Sequence, residues 1–136
     1  MSGLGEILAG RAPAGLHRTA ALDLDAARIE AAEAGWSLAY VEGSALDSRG
    51  AVLRAIGEAL EFPAYFTGRS LDGLHDCLLD LPGPTVLVWQ GWGTLAGAHP
   101  PDLRRLLLVL ADRAAEEPGF EVVLLGDGPS EAAAAL

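Results

Sequence analysis

The chain has 136 residues, 51% of them apolar, and carries 19 acidic side chains against 9 arginines and no lysine, a formal charge of −10. A chain of this length buries a single core without staples, and no apolar run approaches the ~20 residues of a membrane helix. The acidity repels phosphate backbones and attracts basic proteins, while the missing lysine excludes Walker-type phosphate loops, Schiff bases and lysine general bases.

Other exclusions follow from the rarer residues. The single cysteine, Cys77, excludes an internal disulfide framework and fits a reducing cytosol. His17, His75 and His99 are scattered and make no metal-ligand spacing with it, so neither metal nor cofactor is expected. The N-terminus lacks the basic flank and apolar core of a secretory signal, and a cytoplasmic location is expected.

In chain order, Met1–Pro13 reads as a loose start, punctuated by Gly3, Gly5, Gly10 and Pro13, with Leu4, Ile7 and Leu8 able to form one helical turn. Leu16–Leu22 alternates like a short strand, and Asp23 or Asp25 caps a helix through Ala34 that Gly35 stops. Residues 1–35 are thus expected to add a strand and a helix to the sheet of the following domain, residues 36–125. Trp36–Val41 is the first firm strand, ended by Glu42-Gly43. Asp47 or Ser48 caps a helix to about Leu60 whose core face is Val52, Leu53, Ile56, Ala59 and Leu60, although Gly57 inside it costs about 1 kcal/mol relative to alanine.

Pro63 and Gly68 then punctuate a loop holding Tyr65 and Phe66, and Ser70 stands where a helix N-cap belongs. Leu71, Leu74, Cys77, Leu78 and Leu81 fall on one flank of the next helix, with Asp72 and Asp76 nearly opposite and Asp80 one turn on. Leu79 projects between the carboxylates and His75 borders it, the pattern of a docking surface more than of a plainly solvated face.

Leu81-Pro82-Gly83-Pro84 ends that helix, and Thr85–Trp89 is a continuous apolar run suited to a strand buried on both faces. Gln90–His99 reads as a Gly-rich loop containing Trp92. Pro100-Pro101 opens the longest helix, to about Glu116, with a core stripe of Leu103, Leu106, Leu107, Leu110, Ala111 and Ala114. Leu108 and Val109 lie off that stripe, which gives the helix a second surface to cover, a partner subunit being one option. Phe120–Leu125 is the last strand, and residues 126–136 read as a flexible tail. Strands separated by helices predict an α/β fold: a small three-layer arrangement with a mainly parallel sheet of three or four strands flanked by helices.

The segment Tyr65-Phe66, Gly68, then Leu71-Asp72-Gly-Leu-His-Asp76-Cys77-Leu78 resembles the signature of the barstar family, which inhibit barnase-type ribonucleases. That signature runs Pro-x-Tyr-(Tyr/Phe)-Gly-x-Asn-(Leu/Trp)-Asp-Ala-Leu-x-Asp-Cys-Leu. The resemblance extends outward through Tyr40-Val41-x-Gly43 and Pro84-x-Val86-Leu87-x-Trp89, covering roughly residues 36–125. It implies a three-stranded parallel sheet, to which the N-terminal unit adds a fourth strand. It also implies that Asp72 and Asp76 enter a nuclease site, with Asp76 plugging its centre, that Tyr65 is an interface tyrosine and Gly68 a loop glycine, and that Cys77 and Trp89 are structural. The partner-facing set is then Tyr65, Phe66, Gly68, Arg69, Ser70, Asp72, His75, Asp76, Leu79 and Asp80.

Departures from the pattern are equally specific. Thr67 is an extra residue before Gly68, Ser70 replaces asparagine, and His75 stands where barstar itself has tryptophan. The family's acidic contact on the last long helix has no counterpart: Ala114 holds its place, with Glu116 and Glu117 nearby. These changes predict a loop of different shape and point to a ribonuclease of the same broad type other than barnase.

Enzymatic chemistries fare poorly on the residues alone, and no catalytic residue is assigned. Asp72 and Asp76 lie along one helix face rather than on facing walls of a cleft, as a glycosidase pair would. Cys77 and His75 diverge, and Gly126-Asp-Gly-Pro-Ser has no following helix with a lysine. The expected function is that of an intracellular inhibitor blocking a basic ribonuclease without turnover, favoured as a monomer. The alternatives are a barstar-fold interaction or immunity module with a changed partner, and a small-molecule enzyme with a deep polar pocket at the strand C-termini.

Overall fold

Segments rich in apolar and β-branched residues line up as one parallel sheet in a computed structural model that describes residues 3–10 and 15–135. The strands are β1 Leu16–Thr19, β2 Ser37–Glu42, β3 Thr85–Gln90, β4 Phe120–Leu125 and a two-residue β5, Ala134–Ala135. Their order is β2-β3-β4-β1-β5, and every pairing is parallel. Parallel neighbours require crossovers, and helices provide them. The helices are α1 Gly3–Leu8, α2 Leu24–Glu33, α3 Arg49–Ala59, α4 Leu71–Leu79, α5 Gly93–Ala98 and α6 Pro100–Ala114.

Side-chain alternation sorts these helices into two layers. Leu87 and Trp89 of β3, with Phe120, Val122 and Leu124 of β4, pack with Leu53, Ile56, Leu74, Leu78, Leu95 and Leu106 beneath α3–α6. Val86, Val88, Val123 and Leu125 point the other way, onto Leu4, Leu8, Ala27 and Ala31 of α1 and α2. Covered on both faces, β4 is buried at every position and β3 at all but Gln90, which explains why both sequences are predominantly apolar, Glu121 being the one charged residue in either. The three-layer α/β reading holds.

The helix starts follow local chemistry. Asp23 rather than Asp25 caps α2, accepting from the Ala26 amide at 3.1 Å, and Ser48 rather than Asp47 caps α3, accepting from Ala51 at 3.3 Å. Gly35 stops α2 with a φ of +81°, a conformation only glycine adopts without cost. Strand β1 is shorter than Leu16–Leu22. Its neighbour β4 carries a buried Glu121, whose carboxylate accepts from the Gly15 amide at 2.9 and 3.0 Å and lies 3.9 Å from His17 Nε2.

Three expectations need correction. Residues 3–8 form a helix in which Leu4, Ile7 and Leu8 are buried, Leu4 and Leu8 against α2 and the sheet; the rest of the expected loose start, Met1–Ser2 and Arg11–Pro13, lies outside the described residues. Gln90–His99 is not a loop: it contains α5, and Trp92 is fully buried with its indole N–H donating to the Gly126 carbonyl at 3.3 Å. Gly91 turns the chain there at φ +72°, and a Cβ on Gly93 would collide with the Asp127 carbonyl oxygen, so one glycine serves the turn and the other close packing. The tail past Gly126 is not all loose, because Arg18 Nε donates to the Ser130 and Ala133 carbonyls at 3.0 Å and so holds the approach to β5. Leu136 lies outside the described residues.

Candidate functional site

The site begins where α3 ends. Glu61 takes φ +57°, its amide donates to Glu58 O at 3.2 Å, and the Phe62 amide donates to Gly57 O at 2.9 Å. This is the paired bonding of a Schellman turn, with glutamate where glycine is usual. The turn throws the chain out as the loop 62–70. Within it Phe66 folds back, half-buried, and meets the Phe62 ring edge-on at 5.1 Å.

Gly57 now has a physical reason that helix propensity could not supply. A Cβ at that position would lie 2.7 and 2.8 Å from Cδ2 and Cε2 of Phe66. Gly57→Ala gains ~1 kcal/mol of helix propensity but overpacks a filled site at a cost of about 1–3 kcal/mol. The expected result is a net loss of up to ~2 kcal/mol in denaturant unfolding, with the loop displaced; a stabilised variant would show that Phe66 is not held against α3. Gly68, also buried, takes φ +73° and lies against Arg54, closing the loop onto the same helix.

Ser70 then starts α4: its hydroxyl accepts from the Gly73 amide at 2.9 Å, the cap that satisfies an orphan donor. Leu74, Cys77 and Leu78 are buried, as the helix phase requires, and Leu81 just past the helix is buried with them. Asp72, Asp76, Leu79 and Asp80 are exposed, and His75 is half-buried at their margin. No side-chain hydrogen bond or ion pair occupies Asp72, Asp76 or Asp80 among the described residues. Their carboxylates face solvent along the helix.

Tyr65 joins loop to helix. It is 70% exposed, yet it lies close enough to Cys77, Asp80 and Asp76 for their charges to act on its hydroxyl. A thiolate at Cys77 would be the main force holding the Tyr65 hydroxyl above its ordinary pKa, with desolvation and Asp80 adding to it. Burial pushes the Cys77 thiol up, which the nearby Tyr65 hydroxyl only partly offsets. Both groups therefore stay neutral at neutral pH, and the tyrosine lies over the helix as a wall beside the carboxylates.

The ten expected residues thus divide. Tyr65, Asp72, Asp76, Leu79 and Asp80 share the exposed surface, with His75 at its edge and Arg69 exposed before the helix. Phe66 and Gly68 lie beneath, and the Ser70 hydroxyl is engaged in its cap. Sequence reasoning missed Arg113, fully buried on α6. Its Nε donates to the Leu78 carbonyl at 2.8 Å, its Nη1 to Glu116 O at 3.2 Å, and its guanidinium lies 5.5 Å from the Phe120 ring centroid. Burial pulls its pKa down. It caps the C-terminal end of α4 and so fixes the helix that carries the aspartates. The available signal was its position three residues after Leu110, on the core stripe.

These features define a small parallel α/β protein that offers one anionic helix face and an adjoining aromatic loop to its surroundings. Comparison with known families places it further: the family described as Barstar (barnase inhibitor) matches residues 36–125, and the chain belongs to the barstar family. No curated protein matches the chain. The matched span starts just before β2 and ends with β4, so α1, β1 and α2 precede it. Among the described residues no helix is long and apolar enough to cross a membrane, and no group of three or more histidine, cysteine or acidic side chains is placed to hold a metal.

Proposed function

We propose that this protein is a cytoplasmic inhibitor of a basic, barnase-type ribonuclease and blocks the enzyme's active site with α4 and the 62–70 loop. The observation that carries the proposal is the outward row of unpaired carboxylates, Asp72, Asp76 and Asp80, beside an exposed Tyr65. A ribonuclease site is a cationic groove built for RNA phosphates. Carboxylates at one-turn spacing on a preformed helix supply charge-assisted acceptors to its arginine and histidine donors, at little ordering cost. Residues 36–125 carry this role; β1, with α1 and α2 beside it, extends the sheet and contributes no contact to the enzyme.

The direct test is titration of a purified barnase-type ribonuclease with the chain during RNA cleavage. Activity should disappear at one equivalent, and undiminished cleavage at excess chain contradicts the proposal. Because a net charge of −10 steers a cationic partner, the association rate should fall roughly tenfold or more between ~0.05 and ~0.5 M salt, while dissociation changes less. Stopped-flow mixing measures both. A salt-independent association rate removes the electrostatic part of the proposal.

One set of observations favours a second reading, an interaction module with a changed partner. Thr67 lengthens the loop, the Ser70 hydroxyl caps its own helix, and His75 is half-buried where a large aromatic contact is expected. Affinity capture from the source cell separates the two, since a small basic nuclease is the expected prey only under the first.

A further inference from the structure

The longest helix carries a surface that its own chain leaves uncovered. Leu108 of α6 is 65% exposed, and Pro101, Arg104, Arg105, Ala111, Asp112 and Ala115 around it are exposed too. Beside this stripe runs an apolar cavity of about 630 Å³, walled on the far side by residues 129–133. Arg104, Leu107, Leu108 and Ala111 all line it, and positions i, i+3, i+4 and i+7 of a helix are the four corners of a hole for one side chain of a facing helix.

We propose that a second copy of this chain fills that hole, through an antiparallel, two-fold contact of α6 with α6. In such a contact the same patch meets itself, so residue i touches j and j touches i. With the axis beside Leu108, the Leu108 side chain of each copy enters the Arg104–Leu107–Leu108–Ala111 hole of the other. The charges then match as well. Arg104 lies four residues before Leu108 and Asp112 four after it, so the antiparallel arrangement sets Arg104 of each copy against Asp112 of its mate. Neither side chain has an ion pair or hydrogen bond among the described residues, whereas Asp102 lies near both Arg49 and Arg105.

Self-repulsion of an acidic chain is the obvious objection, and the local composition answers it. The exposed side of α6 carries Arg104 and Arg105 against Asp112, with Asp102 at its edge, so this patch is close to neutral on a chain whose net charge is −10. Ala111 and Ala115 let the two backbones approach. Arg113, which bonds the Leu78 carbonyl of α4, lies about 140° around the helix from Leu108. The contact therefore leaves the α4 aspartates free, and this inference stands independently of the ribonuclease reading.

Sedimentation equilibrium over a concentration series, with melting curves for every variant, tests the proposal. The wild-type chain should reach twice its 14.1 kDa mass. Leu108→Arg should raise the dimer dissociation constant at least about thirtyfold, as loss of a central anchor does, while its melting temperature should match wild type at dilutions where both are monomeric, since dimerisation itself raises the wild-type value at higher concentration. Arg104→Asp alone should weaken the dimer about tenfold, and Arg104→Asp combined with Asp112→Arg should restore it to within about threefold of wild type. A wild-type chain monomeric at ~0.5 mM, or a dimer indifferent to Leu108→Arg, overturns the interface. A double variant no tighter than the single one overturns the antiparallel pairing, and so does a dimer that Arg104→Asp leaves unchanged.

Discussion

Replacing Asp76 with alanine is expected to weaken binding of a barnase-type ribonuclease by about 2–5 kcal/mol, or roughly 30- to 5,000-fold in Kd, with no loss of stability. The size follows from what the bound state would contain. A carboxylate at the centre of a cationic groove is desolvated on binding, and its truncation leaves the enzyme's cations buried without their acceptor. The free protein feels none of this, because the Asp76 side chain is exposed and makes no hydrogen bond or ion pair among the described residues. Two smaller effects favour the variant: alanine is the better helix former, and Asp76 sits one turn from both Asp72 and Asp80, so its removal relieves like-charge repulsion at i, i+4 spacing. The melting temperature should therefore stay within about 2 °C or rise. Calorimetric titration beside a thermal melt measures both quantities, and unchanged affinity contradicts the role assigned to this face.

The phase of α4 was legible because five apolar residues repeat at helical spacing and a serine stands at the start. Nothing outside the segment is needed to place Asp72 and Asp76 opposite Leu74 and Leu78. The strands β3 and β4 were legible for the complementary reason, since runs buried on both faces are predominantly apolar, with Glu121 the one charged residue in either. What escaped depends on partners distant in sequence. Gly93 and Trp92 read as loop residues until the Asp127 carbonyl is seen against the first and the Gly126 carbonyl against the indole of the second. Arg113 drew no reading from the sequence, and it is buried with its Nε donating to the Leu78 carbonyl 35 residues away. The nearness of Tyr65 to Cys77 belongs to the same kind: a loop tyrosine cannot declare which helix it lies on. The outline of the candidate site was therefore readable, whereas the contacts that hold its loop and helix in place were not.

Leu74→Ala tests the other side of the same helix and should give the opposite pattern. Leu74 is 0% exposed and belongs to the cluster that includes Leu53, Ile56, Leu78, Leu103 and Leu106. Truncation removes the transfer free energy of the deleted carbons and leaves a cavity that helices on a rigid sheet only partly close, for a loss of about 2–5 kcal/mol. Urea unfolding should show a lower midpoint with an unchanged slope, because the surface exposed on unfolding is nearly the same. Affinity for the ribonuclease should fall far less than stability, since the aspartates project from backbone that Ser70 caps at one end and Arg113 at the other. Two substitutions two residues apart would then separate cleanly, one acting on binding and the other on folding. That separation can arise only if α4 has one face in the core and the other free. A Leu74→Ala variant that loses less than about 1 kcal/mol of stability would mean that the helix is rotated from the phase described, and the exposed row of carboxylates would be lost with it.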